Sequence, residues 1–173
     1  FKGPDARKFL DHILAGKLPK PGRISLSPML SYRGKLYGDL TVACFDENDF
    51  MVFGSGAAQE MHRRWFESHI KKFNVSYKNR SDDFHGLSIA GPRSRELLQK
   101  ITRDEVSNSK LKFRDSRHMF VGGVPAILNR ISFTGELGYE IYVAPHFQLK
   151  LYEEIMEAGK EFNIKPFGSR ALM

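Results

Sequence analysis

Three carboxylates stand where the surrounding pattern gives them no packing role: Asp39, Glu136 and Glu140. In the run 137–143, Leu137, Tyr139, Ile141 and Val143 alternate with Gly138, Glu140 and Tyr142, the period of a strand with one buried face. Glu140 is then a carboxylate on the polar side of a strand, just after a tight turn. Such a group is either a solvated charge or an acceptor for a planar ligand edge that offers two parallel N–H donors. Guanidinium, guanine and a pterin all have such an edge. Asp39 lies in a second alternating run, with Leu36, Leu40, Val42 and Cys44 expected to face the core and Tyr37, Asp39 and Thr41 the other side. Aspartate is disfavoured inside strands, so Asp39 is a surface charge or a site carboxylate facing a cleft. Glu136 sits in the turn Thr134-Gly135-Glu136-Leu137-Gly138, where it can serve the hydrogen bonding of the loop. The two glycines let that turn close.

Other chemistry is weakly represented. The six histidines are scattered, and His62 and His69 are seven apart, too far for the i, i+4 pairing of a helical metal site. Ser88 lies in Leu-Ser-Ile-Ala-Gly, which lacks the pattern of a nucleophile elbow. The stretch Gly54-Ser55-Gly56-Ala57-Ala58-Gln59 follows a strand and opens a helix. It lacks the third glycine of a dinucleotide fingerprint and has no parallel βαβ setting, so it is expected to be a small-residue start to a helix. A single cysteine, Cys44, excludes an internal disulfide framework and any cysteine-based zinc site. No metal site is expected.

The elements that must position the carboxylates follow from periodicity and punctuation. Asp5 is placed to cap a helix carrying Phe9, Leu10, Ile13 and Leu14, closed by Gly16. Strands are expected at 24–31 and 35–44 around Tyr32-Arg33-Gly34, at 50–53 after the turn 46–49, at 74–78 and at 84–90. A helix at 57–72 would turn Ala58, Met61, Trp65 and Phe73 inward. Gly91-Pro92 opens another that packs Leu97, Leu98 and Ile101. Strands at 115–121 and 124–133 flank Gly122-Gly123. A last helix at 146–161 carries an expected stripe of Leu149, Tyr152, Ile155 and Met156. The order predicts an α+β fold: a mainly antiparallel sheet with helices on one face, ferredoxin-like over 35–112, and a smaller strand-rich subdomain from 1–34 and 113–173.

The 173 residues are 41% hydrophobic and 12% aromatic, with 14 Phe, which is a globular composition. No apolar run approaches the roughly 18 residues of a membrane span. There is no secretory signal pattern at the N-terminus, and the cytoplasm, or the mitochondrial matrix in a eukaryote, is the expected compartment. The net charge of +7 is dispersed and carries no nucleic-acid motif. A small polyanionic ligand would use only a few of these charges. Phe1 begins at a helix and Met173 stops inside what reads as another, so the chain is expected to be a fragment of a longer polypeptide.

Four stretches together resemble one family. These are Phe1-Lys2-Gly3-Pro4-Asp5-Ala6 with Phe9-Leu10; Met29-Leu30 with Gly34 and Gly38-Asp39-Leu40-Thr41-Val42; Leu87-Ser88-Ile89-Ala90-Gly91-Pro92; and Phe133-Thr134-Gly135-Glu136-Leu137-Gly138-Tyr139-Glu140. In order and spacing they resemble the folate-binding domain of the aminomethyltransferase, or glycine cleavage T-protein, family. The likeness is strongest to the C-terminal tetrahydrofolate region of dimethylglycine and sarcosine dehydrogenases. The resemblance implies a tetrahydrofolate site and one-carbon transfer at the formaldehyde level, with 5,10-methylenetetrahydrofolate as product. It implies that Asp39 is the catalytic carboxylate near the folate N5 and N10, and that Glu140 holds the pterin edge. It further implies that Met29, Leu30, Phe53, Phe133 and Glu136 line the pocket, Phe133 standing where the family usually has tyrosine. The donor would be a small amine or N-methylamino acid. FAD would belong only to a companion domain, and a lipoyl carrier is the other implied partner. The alternatives are a non-catalytic folate-binding or regulatory module and, on charge alone, a nucleic-acid-binding domain.

Overall fold

The computed structural model describes residues 1–172. Its contacts divide the chain into two compact units, Phe1–Ser81 and the part from Asp82 onward.

In the first unit, strands β1 (Arg23–Leu30), β2 (Leu36–Asp46) and β3 (Asp49–Phe53) form an antiparallel sheet in that order, and helices α1 (Ala6–Ile13) and α2 (Gln59–His69) pack on one face. The shared core joins Phe9, Leu10 and Ile13 of α1 to Met29, Leu40, Val42, Cys44 and Phe50 of the sheet and Phe66 of α2. Asp5 does not cap α1. Its carboxylate accepts the Asn74 N–H at 2.9 Å instead and pairs with Lys8. Leu36 does not face the core either: it is 66% exposed. The register slips between Met29 and Leu30, and a bulge reverses the faces beyond it. The expected strand at 74–78 is reduced to a single bridge, Lys2 to Ser76.

Helix α2 is rotated from its expected phase. His62 and Phe66 are buried, Trp65 and Phe73 half-buried, and Met61 exposed. A histidine can lie inward because Gly38 and Gly54 clear the space above it: a Cβ at Gly38 would lie 2.7 Å from His62 Nε2, and one at Gly54 3.1 Å from Nδ1. The Gly54 stretch follows an antiparallel β3, not the parallel unit a dinucleotide site requires.

The second unit orders its antiparallel strands β4-β7-β6-β5: β4 (His85–Ala90), β5 (Ser116–Val121), β6 (Val124–Asn129) and β7 (Gly138–Val143). Helices α3 (Ser94–Lys100) and α4 (Gln148–Gly159) pack on the face carrying Ile89, Leu128, Tyr139, Ile141 and Val143. Helix α3 begins two residues beyond Pro92. Helix α4 buries Leu151 and Ile155, while Leu149 and Tyr152 of the expected stripe are exposed. Strand β6 stops at Asn129, so 130–133 is loop.

The α+β class, with antiparallel sheets and helices on one face of each, is the one expected. The grouping within it differs. β1 is hydrogen-bonded to β2 across the turn at Gly34, so residues 1–34 cannot be parted from 35–46. Residues 35–112 do not assemble as one sheet, because β2 and β3 stay with β1 while β4 joins β7.

Two glycines of the 134–138 turn act differently. Gly135 has φ +79, a conformation that favours glycine. Gly138 is needed for space: a Cβ there would lie 2.5 Å from Ser132 Cβ and 2.9 Å from the Ile89 carbonyl oxygen. Gly138→Ala is expected to destabilise the fold by about 1–3 kcal/mol through overpacking against backbone. Chemical denaturation of the variant measures it, and an unchanged midpoint would show that the turn relaxes freely.

Candidate functional site

The second unit places Glu140 in the middle of β7, on the sheet face away from α3 and α4. Tyr139 and Ile141 beside it are fully buried in the core, which fixes the direction of Glu140. Its cross-strand neighbours are Ser88 on β4 and Asn129 on β6. The carboxylate is half-buried, and burial pushes its pKa up from the ordinary glutamate value. One hydrogen bond opposes that shift: the Tyr142 hydroxyl donates to Glu140 Oε2 at 2.8 Å. The Tyr142 pKa is itself raised, first by burial and then by the Glu140 charge, so the phenol stays a donor.

Asn129 completes this polar patch. It is fully buried, and its Oδ1 accepts from the Ser116 hydroxyl at 2.7 Å, while Nδ2 has no partner. A buried N–H without an acceptor is costly, and this one lies directly across the strand from Glu140. The face therefore offers an acceptor on Glu140 next to an unspent donor on Asn129. Neither Asn129 nor Ser116 was singled out from the sequence. The signal available was an asparagine ending an otherwise apolar run, Val124 to Leu128, at a register that only the strand pairing reveals.

Phe133 and Glu136 belong to the loop that leads into β7. Phe133 is 79% exposed. Glu136 is exposed too, and its backbone is tied down: Ser132 Oγ donates to its carbonyl at 2.6 Å, and its N–H reaches Thr134 Oγ1 at 3.4 Å. The loop hydrogen bonding expected around Glu136 is thus made by its main chain.

Asp39 belongs to the first unit, on the central strand of the other sheet. It is exposed on the face away from α1 and α2, as its alternation required. Across the strand stands Pro28, and the next rung places Leu26 and Phe53 on either side of Thr41. Leu26 is 67% and Leu30 38% exposed. No hydrogen bond or ion pair reaches the Asp39 carboxylate among the described residues. A carboxylate on this partly apolar sheet face keeps its full set of lone pairs for a ligand. Leu30, at the end of β1, and the half-buried Phe53, at the end of β3, share that side of the sheet. Met29 does not: it points into the core, fully buried, beneath Gly38. As an immediate neighbour of Pro28 on a strand it has to face the opposite way.

Cys44 is buried, donates to the Asp46 carbonyl, and burial pushes its thiol pKa up, all unlike a reactive thiolate. No three His, Cys, Asp or Glu side chains converge to hold a metal among the described residues. No helix there is long and apolar enough to cross a membrane.

Comparison with known proteins agrees with this architecture. The chain is 37% identical to the human protein "Dimethylglycine dehydrogenase, mitochondrial", over 99% of this chain and 20% of that protein. It is 31% identical to an aminomethyltransferase of Thermoanaerobacter pseudethanolicus, over 96% of this chain and 46% of that protein. Glycine cleavage system aminomethyltransferase T from Bartonella henselae shares the fold with a TM-score of 0.75 at 21% identity, over 90% of this chain and 41% of its own. The heterotetrameric sarcosine oxidase of Corynebacterium sp. U-96, solved with pyrrole 2-carboxylate, does so with a TM-score of 0.70 at 15% identity, over 96% of this chain and 78% of its own. The chain thus spans a fifth to under half of these curated relatives. Residues 1–173 match the GCVT N-terminal domain throughout, and the chain belongs to that family, the one its Thr134 to Glu140 motif resembles.

Proposed function

We propose that this chain is the tetrahydrofolate-binding domain of a one-carbon transferase. The observation that carries the proposal is Glu140, a half-buried carboxylate with one oxygen held by Tyr142, lying across the strand from the unpaired Asn129 amide. Acceptor and donor side by side fit the edge of a 2-amino-4-oxo pterin, which presents two N–H donors and then a carbonyl. Tetrahydrofolate, when bound, supplies two nitrogens that accept a carbon at the formaldehyde level. Glu140 would accept the two N–H groups of the pterin and fix its orientation. Asp39, charged and unpaired by the protein, would stabilise the positive charge that develops at the reacting carbon–nitrogen centre, and could hold a proton there. On the first unit Leu30 and Phe53 would flank Asp39, and on the second Phe133 and Glu136 would stand in the loop that leads to Glu140. The buried Met29 would support the Asp39 strand from behind.

The family membership and the named relatives support this reading. The donor would be a small amine or an N-methylamino acid. A flavin-bearing companion or a lipoyl carrier would deliver the carbon, in the cytoplasm or the mitochondrial matrix.

Glu140→Gln is expected to weaken tetrahydrofolate binding by about 1.5–3 kcal/mol, the worth of a charge-assisted hydrogen bond. Titration calorimetry giving an unchanged affinity would remove Glu140 from the site. Asp39→Asn is expected to lower one-carbon transfer on the order of 10²-fold, with a much smaller effect on binding. Full turnover in that variant, measured as folate-coupled release of the demethylated or deaminated donor, would make Asp39 an ordinary surface charge.

A further inference from the structure

Tyr142 and Glu140 lie two residues apart on one face of β7, and the strand across from Tyr142 carries Gly86. A Cβ on Gly86 would lie 2.9 Å from Tyr142 Cε1 and 3.2 Å from Cδ1. The tyrosine ring thus occupies the space that a side chain at 86 would fill. Gly86 has no left-handed φ, so close approach and not backbone conformation is what calls for glycine. Seated there, the ring directs its hydroxyl to Glu140 Oε2 at 2.8 Å. Among the described residues no other side-chain donor is bonded to that carboxylate.

We propose that Tyr142 is the positioning residue of the ligand site. By lying across Gly86 it holds the Glu140 carboxylate in one orientation and in its ionised form, leaving the second oxygen to take the N–H donors of the ligand. The inference rests on the reading that Glu140 is the ligand's acceptor.

The pH sign follows. Burial raises the pKa of Glu140, and the Tyr142 hydrogen bond lowers it; no neighbouring charge is among the causes of the shift. The side chains on the same face of the sheet as Glu140 are Ser88 on β4, Ile127 and Asn129 on β6, and, one strand further, Ser116 and His118 on β5, His118 being the one ionisable group among them. A protonated carboxyl loses the charge that strengthens its acceptor bonds and carries an O–H in place of a free acceptor oxygen, so affinity falls as the pH drops through the Glu140 pKa. Removing the tyrosine hydroxyl raises that pKa further. The loss of binding then begins at a higher pH.

The test is Tyr142→Phe, which keeps the ring over Gly86 and deletes only the hydroxyl. Tetrahydrofolate affinity is expected to fall about tenfold on the acid limb of its pH profile and little on the alkaline side, with the midpoint moved up by about one unit, the scale of one hydrogen bond to a charged group. The ligand's own titration is common to both proteins and cancels. In a Glu140→Gln background the same change is expected to cost almost nothing more. Carboxyl-carbon NMR of Glu140 in the ligand-free protein should show the same upward shift. Gly86→Ala, which displaces the ring and keeps both polar groups, should reproduce it if Tyr142→Phe folds poorly. An unchanged Glu140 titration and affinity in Tyr142→Phe, with Glu140→Gln still weakening binding, would overturn the inference alone. Equal loss at all pH values, additive with Glu140→Gln, would also overturn it by making Tyr142 merely structural. No effect from Glu140→Gln would overturn the site reading and this inference together.

Discussion

A carboxylate drawn partly out of water has to be fixed in place by its surroundings, and Glu140 meets that constraint through the sheet beneath it. Tyr139, Ile141 and Val143 are fully buried under α3 and α4, so β7 cannot slip by one residue without exposing all three. Glu140 is thereby held on the other face. Its direct cross-strand neighbours there are polar, Ser88 on one strand and Asn129 on the other. The strand pairing, the close approach at Gly138 and the turn at Gly135 all converge on the direction of one side chain. Burial alone would favour the protonated form, and the hydroxyl of Tyr142 works against it.

Asp39 is handled differently. It stands on a central strand, exposed, with apolar neighbours in place of polar ones. It needs no partner because water solvates it, and that leaves its charge available. The two carboxylates are therefore suited to different work: the half-buried, oriented Glu140 to recognition, and the open, unpaired Asp39 to the charge changes of a reaction.

What could be read from the sequence divides along physical lines. The alternation of 137–143 placed Glu140 and its buried neighbours correctly, because a period of two is a local property. The same logic placed Asp39 but misplaced Leu36, since a bulge reverses faces and leaves no mark in composition. Met29 was grouped with its exposed neighbours through family likeness, whereas its position on the strand turns it inward. Helix α2 was read one residue out of phase: counting apolar residues hides a buried His62, for which Gly38 on β2 and Gly54 just beyond β3 make room. The domain boundary was misplaced because which strands pair is a non-local fact. Asn129 and Gly86 were passed over for the same reason, each being meaningful only through the residue opposite.

The most direct measurement of the central claim alters the ligand and leaves the protein intact. Binding of tetrahydrofolate is compared with that of an analogue whose 2-amino group is replaced by methyl, on the unaltered chain. If Glu140 accepts the pterin N–H edge, the analogue loses at least about tenfold in affinity, since a charge-assisted bond is lost and a carboxylate lone pair is left without its donor. Equal affinity for the two compounds would contradict the account.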